Sequence, residues 1–241
     1  MSNLFKVWSK FSVACKKSGN VCNFRIMDMP DNLRVDVVNL YIEYFVKQEA
    51  VFKAAGVPKS MKALNEVRVN MLEVTKTPGY HTMICCEDNG EEEIKEVIGA
   101  SMMALLLKGH PEPEWKFETQ EIKKLVEMVS TLTAHFDEMK VFNLDRIFSD
   151  RGAFVRPEYR GLGIAHEFLK VRRRICQDHG IPIHGGWVSS YGMLRATEKD
   201  GWDVVSEISF QDLGRKHGVT FDDENDPPSC LFKIARIVKD N

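Results

Sequence analysis

The segment Phe154-Val155-Arg156-Pro157-Glu158-Tyr159-Arg160-Gly161-Leu162-Gly163-Ile164-Ala165 limits what this chain can fold into more than any other. An apolar, β-prone run precedes it, with Ile147, Phe148, Ala153, Phe154 and Val155. After it, Ile164, Phe168, Val171 and Ile175 recur at helical spacing up to His179-Gly180. The pattern predicts strand, tight glycine turn, helix. Gly161 and Gly163 keep side chains out of the turn, so a ligand can approach the backbone. The helix that follows offers unpaired N–H groups and a partial positive end. Together these features make a phosphate cradle. It is not a P-loop, because no Lys-Ser or Lys-Thr follows a glycine. A dinucleotide fingerprint fits Gly161 and Gly163 but meets His166 where its third glycine belongs.

The 241 residues suit one domain with a sizeable core, and a net charge of −2 implies no broad basic surface for nucleic acid. The six cysteines, Cys15, Cys22, Cys85, Cys86, Cys176 and Cys230, form no C-x-x-C pair. That pattern suggests reduced thiols in a cytoplasmic protein, with no metal site. The longest apolar run, Val97 to Leu107, is too short to span a bilayer, so no membrane association is expected. Lys6, Lys10, Lys16 and Lys17 lie in an N-terminal stretch without the continuous apolar core of a secretory signal.

Read in order, the chain predicts a short strand at 24–27 and a helix from Pro30-Asp31-Asn32 to about Lys47. A second helix follows Pro58-Lys59-Ser60 and stops at Pro78-Gly79. Strands at 80–86 and 97–107 flank the hairpin signal Asp88-Asn89-Gly90, with Glu91, Glu92 and Glu93 at its tip. Pro111 and Pro113 break the chain before a long helix at 119–139. Past the motif helix come a strand at 183–188 containing Gly185-Gly186, a short helix at 191–199, and strands at 202–208 and 231–238. The polar stretch 214–229 reads as a loop. No linker interrupts 1–241, so a single α/β domain is predicted.

Arg160, Gly163 and Ala165 satisfy R/Q-x-x-G-x-G/A, and with the V-x-P-x-x-R lead-in this resembles the acetyl-CoA-binding motif of the GNAT N-acetyltransferases. The resemblance covers nearly the whole chain and narrows to the insect arylalkylamine N-acetyltransferases. Arg25-Ile26-x-Asp28-x-Pro30 resembles their opening strand, and residues 44–50, Tyr-Phe-Val-Lys-Gln-Glu-Ala, resemble their F-F-x-x-D-E-P segment. Helix 119–139 occupies their insertion. Gln48 and Ala50 depart from the family's aspartate and proline, Met193 or Leu194 replaces a serine, and Thr197 replaces a tyrosine common in the superfamily.

The resemblance implies the GNAT fold: a mixed, mostly antiparallel central sheet flanked by helices, with strands 147–155 and 183–188 splayed to admit CoA. It implies acetyl-CoA as acyl donor and a small primary amine, an arylalkylamine such as dopamine, tyramine, octopamine or serotonin, as acceptor. Polyamines or agmatine, protein N-acetylation, and a non-catalytic acyl-CoA-binding role are the alternatives. Glu49 takes the general base's place, and Ser189 or Ser190 that of an acid for the leaving thiolate. Val155 offers backbone hydrogen bonds to the donor, next to Phe154. The backbone of Gly161, Leu162, Gly163, Ile164 and Ala165 holds the diphosphate, Arg160 either helps by charge or braces the loop, and Tyr44, Phe45, Phe148 and Trp187 face the acceptor. Arg172-Arg173-Arg174 reads as a solvated helix face or a contact for the 3′-phosphate of CoA. A monomer or weak homodimer is expected.

Overall fold

A computed structural model describes residues 5–14, 19, 21–90, 93–110, 116–222 and 224–237. Cys15, Lys16, Lys17, Glu91, Glu92, Pro111, Pro113 and Val238 lie outside the described residues. Five strands form the first sheet: β1 (Val7–Ala14), β2 (Val21–Asp28), β3 (Tyr80–Glu87), β4 (Gly99–Leu107) and β5 (Arg146–Val155), neighbouring one another in that order. The second sheet has the order β6-β8-β7, from β6 (Ile183–Val188), β7 (Asp203–Ser209) and β8 (Ser229–Arg236). Every pairing within both sheets is antiparallel.

Helices cover both faces of the first sheet. One face carries α1 (Arg34–Tyr41), α2 (Ala50–Ala54), α3 (Met61–Val74) and α4 (Gln120–His135) over a core that includes Val37, Val46, Ala63, Ala100, Met102 and Met128. The other carries α6 (Ile164–Asp178), whose Phe168, Val171 and Ile175 pack with Phe24, Met83 and Phe148. The other α-helices are the short α5 (Glu138–Val141), α7 (Tyr191–Lys199) and α8 (Phe210–His217), which lies between β7 and β8. No helix among the described residues is long and apolar enough to cross a membrane.

Several boundaries differ from the sequence expectation. The strand expected at 24–27 is part of β2, and a further strand, β1, precedes it and pairs antiparallel with it. The helix at 119–139 is two pieces. Phe136 takes extended dihedrals that end α4, and the Asp137 carboxylate accepts from the Lys140 amide to start α5. The expected loop at 214–229 begins inside α8, which Ser209 caps by accepting from the Asp212 amide. The insertion is anchored to α3 through Glu66, whose carboxylate accepts from the Glu118 and Thr119 amides and the Thr119 hydroxyl.

α5 places Glu138 in the interior, 7% exposed, against Gly185 of β6. Burial, with the charges of Asp137 and Asp150, pushes its carboxyl up to about 8. The fold thus holds the neutral acid, whereas the unfolded chain releases the proton near 4.5. Stability is therefore full below about 4.5 and is lost as pH rises toward about 8. Glu138→Gln is expected to flatten this slope. Melting temperatures across that range check it: the variant gains on the parent at the alkaline end by on the order of a few kcal/mol.

Candidate active site

The two sheets part between β5 and β6, which share no hydrogen-bond ladder. They touch where Gly186 lies against Asp150: a Cβ on Gly186 would be 3.0 Å from the Asp150 Cβ. β5 carries a bulge there. Ser101 pairs with Ala153 and Met103 with Asp150, so Arg151 and Gly152 together oppose Met102. Gly152 has φ +91°, and the Phe45 ring covers it so closely that a Cβ would come within 2.6 Å. Only glycine suits that position, on both counts.

At the end of β5 the chain turns through Pro157–Tyr159 into the glycine corner. Gly161 and Gly163 have φ +83° and +82°, and the space where their Cβ atoms would stand is open. Among the described residues, the amides of 161–166 donate no hydrogen bond to the protein. Leu162, Ile164 and Ala165 thus contribute free backbone donors at the positive end of a 15-residue helix. The Arg160 side chain has a different partner set. Its Nε donates to the Val155 carbonyl (2.9 Å) and its Nη2 to Gln48 Oε1 (2.8 Å). It braces the corner against the chain leading into α2.

Glu49 caps α2. One carboxylate oxygen, Oε2, accepts from the Val51 and Phe52 amides at 2.8 and 3.0 Å. The other, Oε1, accepts from the Ser189 hydroxyl at 2.6 Å. A π-helical stretch, Ile42–Val46, continues α1 and carries Tyr44 and Phe45 toward the site. Burial raises the Glu49 carboxyl above its ordinary value, against the lowering effect of the Ser189, Phe52 and Val51 hydrogen bonds. It remains partly exposed. Burial also pushes the Cys230 thiol well up, with the Glu49 charge adding to it, so this cysteine is an inert neighbour. Tyr41, buried beneath, donates its hydroxyl proton to the Arg151 carbonyl (2.9 Å).

The remaining residues singled out from the sequence fall into two groups. Phe154 is 3% exposed, its ring tilted against that of Tyr44 at 6.1 Å between centroids; Phe45 stacks on Tyr41 at 4.7 Å; Trp187 packs edge-on to Phe232 and near His135. Ser190 and Phe148 are placed elsewhere. The Ser190 hydroxyl caps α7 by accepting from the Met193 amide. Phe148 is wholly buried on the α6 side, edge-on to His81 and His179, and does not reach the cleft.

The arginine run divides: Arg174 is exposed and Arg173 partly so, as on a solvated face, whereas Arg172 turns inward. Arg172 is 1% exposed: its Nε donates to Ser101 Oγ (2.7 Å), and its Nη2 to the Met102 and Gly152 carbonyls (both 3.1 Å) and to Asp150 Oδ1 (2.8 Å). Arg173 pairs with Asp200 and Arg174 donates to the Trp8 carbonyl. Sequence reading missed Arg172, Asp150 and Gly152, although Arg172 lies four residues after Phe168 and three before Ile175, on the buried face of α6. Among the described residues, no three His, Cys, Asp or Glu side chains converge as for a metal ion.

Removing the Ser189 hydroxyl deletes the first of the interactions that lower the Glu49 carboxyl. Ser189→Ala is therefore expected to move the carboxyl further up and carry any activity limb governed by Glu49 to higher pH. A pH–rate profile of the variant measures this; an unmoved limb separates Ser189 from the site's proton chemistry.

No sequence-family model matches the chain, and no curated protein matches it in sequence. Solved structures do. A protein described as arylalkylamine N-acetyltransferase 7 of the yellow fever mosquito Aedes aegypti superposes with a TM-score of 0.82 at 19% identity, covering 98% of this chain and 96% of that one. Arylalkylamine N-acetyltransferase 2 of the same mosquito gives 0.70 at 15% identity over 89% and 99%. A protein described as an acetyltransferase of Salmonella typhimurium, solved with its cofactor acetyl-CoA, gives 0.51 at 12% identity over 90% and 95%. The chain has the GNAT acetyltransferase fold, in the form seen in the insect arylalkylamine N-acetyltransferases.

Proposed function

We propose that this protein transfers the acetyl group of acetyl-CoA to a small primary amine of the arylalkylamine class. The observation that carries the reading is the 2.6 Å hydrogen bond from Ser189 to Glu49, which joins the end of β6 to the start of α2 beside the glycine corner. A carboxylate held there serves an amine that is mostly protonated at neutral pH.

In this reading Glu49 takes a proton from the bound ammonium, and the nitrogen lone pair attacks the thioester carbonyl carbon. Backbone N–H groups near Val155 stabilise the developing oxyanion. The C–S bond then breaks and CoA leaves with the electron pair as thiolate, a modest base that needs no dedicated acid. Glu49 already holds the first proton, so the amide nitrogen's surplus proton passes to the departing thiolate or to solvent. Amides 161–165 bind the diphosphate. Tyr44, Phe45 and Trp187 supply aromatic contact suited to an aryl ring, a chemistry also named for the mosquito neighbours.

Thiol release from acetyl-CoA across a panel of dopamine, tyramine, octopamine, serotonin, agmatine, spermidine and a peptide amine tests the assignment. The expected result is highest kcat/KM on the arylalkylamines. Turnover confined to the polyamines or the peptide overturns the acceptor class, and CoA binding without turnover of any amine overturns catalysis.

A further inference from the structure

A guanidinium buried to 1% exposure is costly unless its donors are satisfied, and those of Arg172 go to one place. A bulge leaves backbone carbonyls without ladder partners. Here Met102 O and Gly152 O, both carbonyls of the irregularity itself, accept from Arg172 Nη2 at 3.1 Å. Asp150 Oδ1 accepts from the same nitrogen at 2.8 Å and from the Gly152 amide at 2.8 Å, closing a ring around the two-residue excursion. Asp150 is also the residue on which Gly186 of β6 rests. One ion pair thus sits at the point where the two sheets separate, and its arginine comes from α6, the helix whose first turn forms the glycine corner.

The surroundings fit a fixed pair. Burial alone would push the Asp150 carboxyl up; Arg172's charge and hydrogen bond overcome this and hold it below its ordinary value. His184, on β6 and fully buried, is driven down to about 3 by burial and by Arg172, so it stays neutral and leaves Arg172 unchallenged.

We infer that Arg172 is a positioning residue that holds β5 and β6 apart, setting the width of the slot independently of the diphosphate cradle. This rests on the acetyl-CoA reading for the identity of what enters the slot, but not for the geometry. Closing or deforming the slot should harm a ligand with a pantetheine arm and spare one that uses the corner alone.

The test measures the affinity of the full-length protein for CoA and for ADP, which presents the diphosphate without the arm, in Arg172→Met, Arg172→Lys and Ser101→Ala. Hydrogen exchange of amides 150–155 and 183–188 accompanies it. Arg172→Met is expected to weaken CoA binding by roughly tenfold or more, leave ADP within about twofold, and change exchange at those amides. Arg172→Lys and Ser101→Ala should give the same pattern at smaller size, so the inference stays testable if the methionine variant fails to fold. Equal loss of CoA and ADP, or unchanged CoA affinity and exchange in a folded variant, overturns the role of Arg172. Should the parent bind CoA no better than ADP, the acetyl-CoA reading fails, and the exchange data alone then decide whether Arg172 parts the strands.

Discussion

Replacing Glu49 by glutamine is expected to lower kcat/KM for the amine by roughly two to four orders of magnitude, the usual contribution of a positioned base. Glutamine keeps an acceptor oxygen for the Val51 and Phe52 amides and so preserves the start of α2. CoA affinity should be unchanged, because the glycine corner is a separate element. The pH profile makes the test specific. A base works when deprotonated, and burial holds the Glu49 carboxyl above its ordinary value. Activity of the parent protein therefore rises with pH through that raised pKa, and the variant should lose this limb while keeping any set by the amine itself. A variant that binds CoA normally and runs at the parent rate across pH removes Glu49 from the chemistry and leaves the cap as its only role.

This expectation could be framed from the sequence because Glu49 follows a recognisable aromatic segment, but the partner that defines it could not. Ser189 and Ser190 are equivalent in sequence, both just beyond a strand. The helix that follows decides between them: Ser190, in extended conformation, must cap α7, which leaves the Ser189 hydroxyl free to reach across 140 positions to Glu49. The glycine corner was legible in full, since positive φ at Gly161 and Gly163 and a helix start at Ile164 are local properties. The bulge was not, because it depends on the register between β4 and β5. Arg172 was misread for a related reason. Three consecutive arginines suggest solvent, yet helical geometry puts one of three neighbours inward, and only the tertiary acceptors at Ser101, Met102 and Gly152 show which. α8 was hidden by the absence of any turn residue between β7 and its cap, Ser209, although Asp212 three positions on completed the capping signal. Phe148 illustrates the opposite error. Its strand was right, but which face of the strand meets the cleft is fixed by register.

Gly163→Val should produce the second large effect, on the donor alone. At φ +82° a side chain costs about 1–2 kcal/mol, and a β-branched one more. No protein atom lies within 4 Å of the new Cβ, so nothing in the fold is displaced. The protein then has two responses. If the corner keeps its left-handed turn, the valine side chain stands in the open space over the first-turn amides, where the diphosphate would bind. If the corner relaxes to negative φ, those amides no longer converge. Both responses weaken the donor and neither touches Glu49 or Ser189. The KM for acetyl-CoA is therefore expected to rise by roughly a hundredfold, which corresponds to about 3 kcal/mol of lost binding. At saturating donor, kcat and the KM for the amine should stay near the parent values, and the melting temperature should fall by only a few degrees, about what the backbone strain itself costs in a chain of this size. A valine variant with an unchanged donor KM would mean that the free amides of 161–166 serve some other anion, and the acetyl-CoA assignment would lose its anchor even with the slot between β5 and β6 intact.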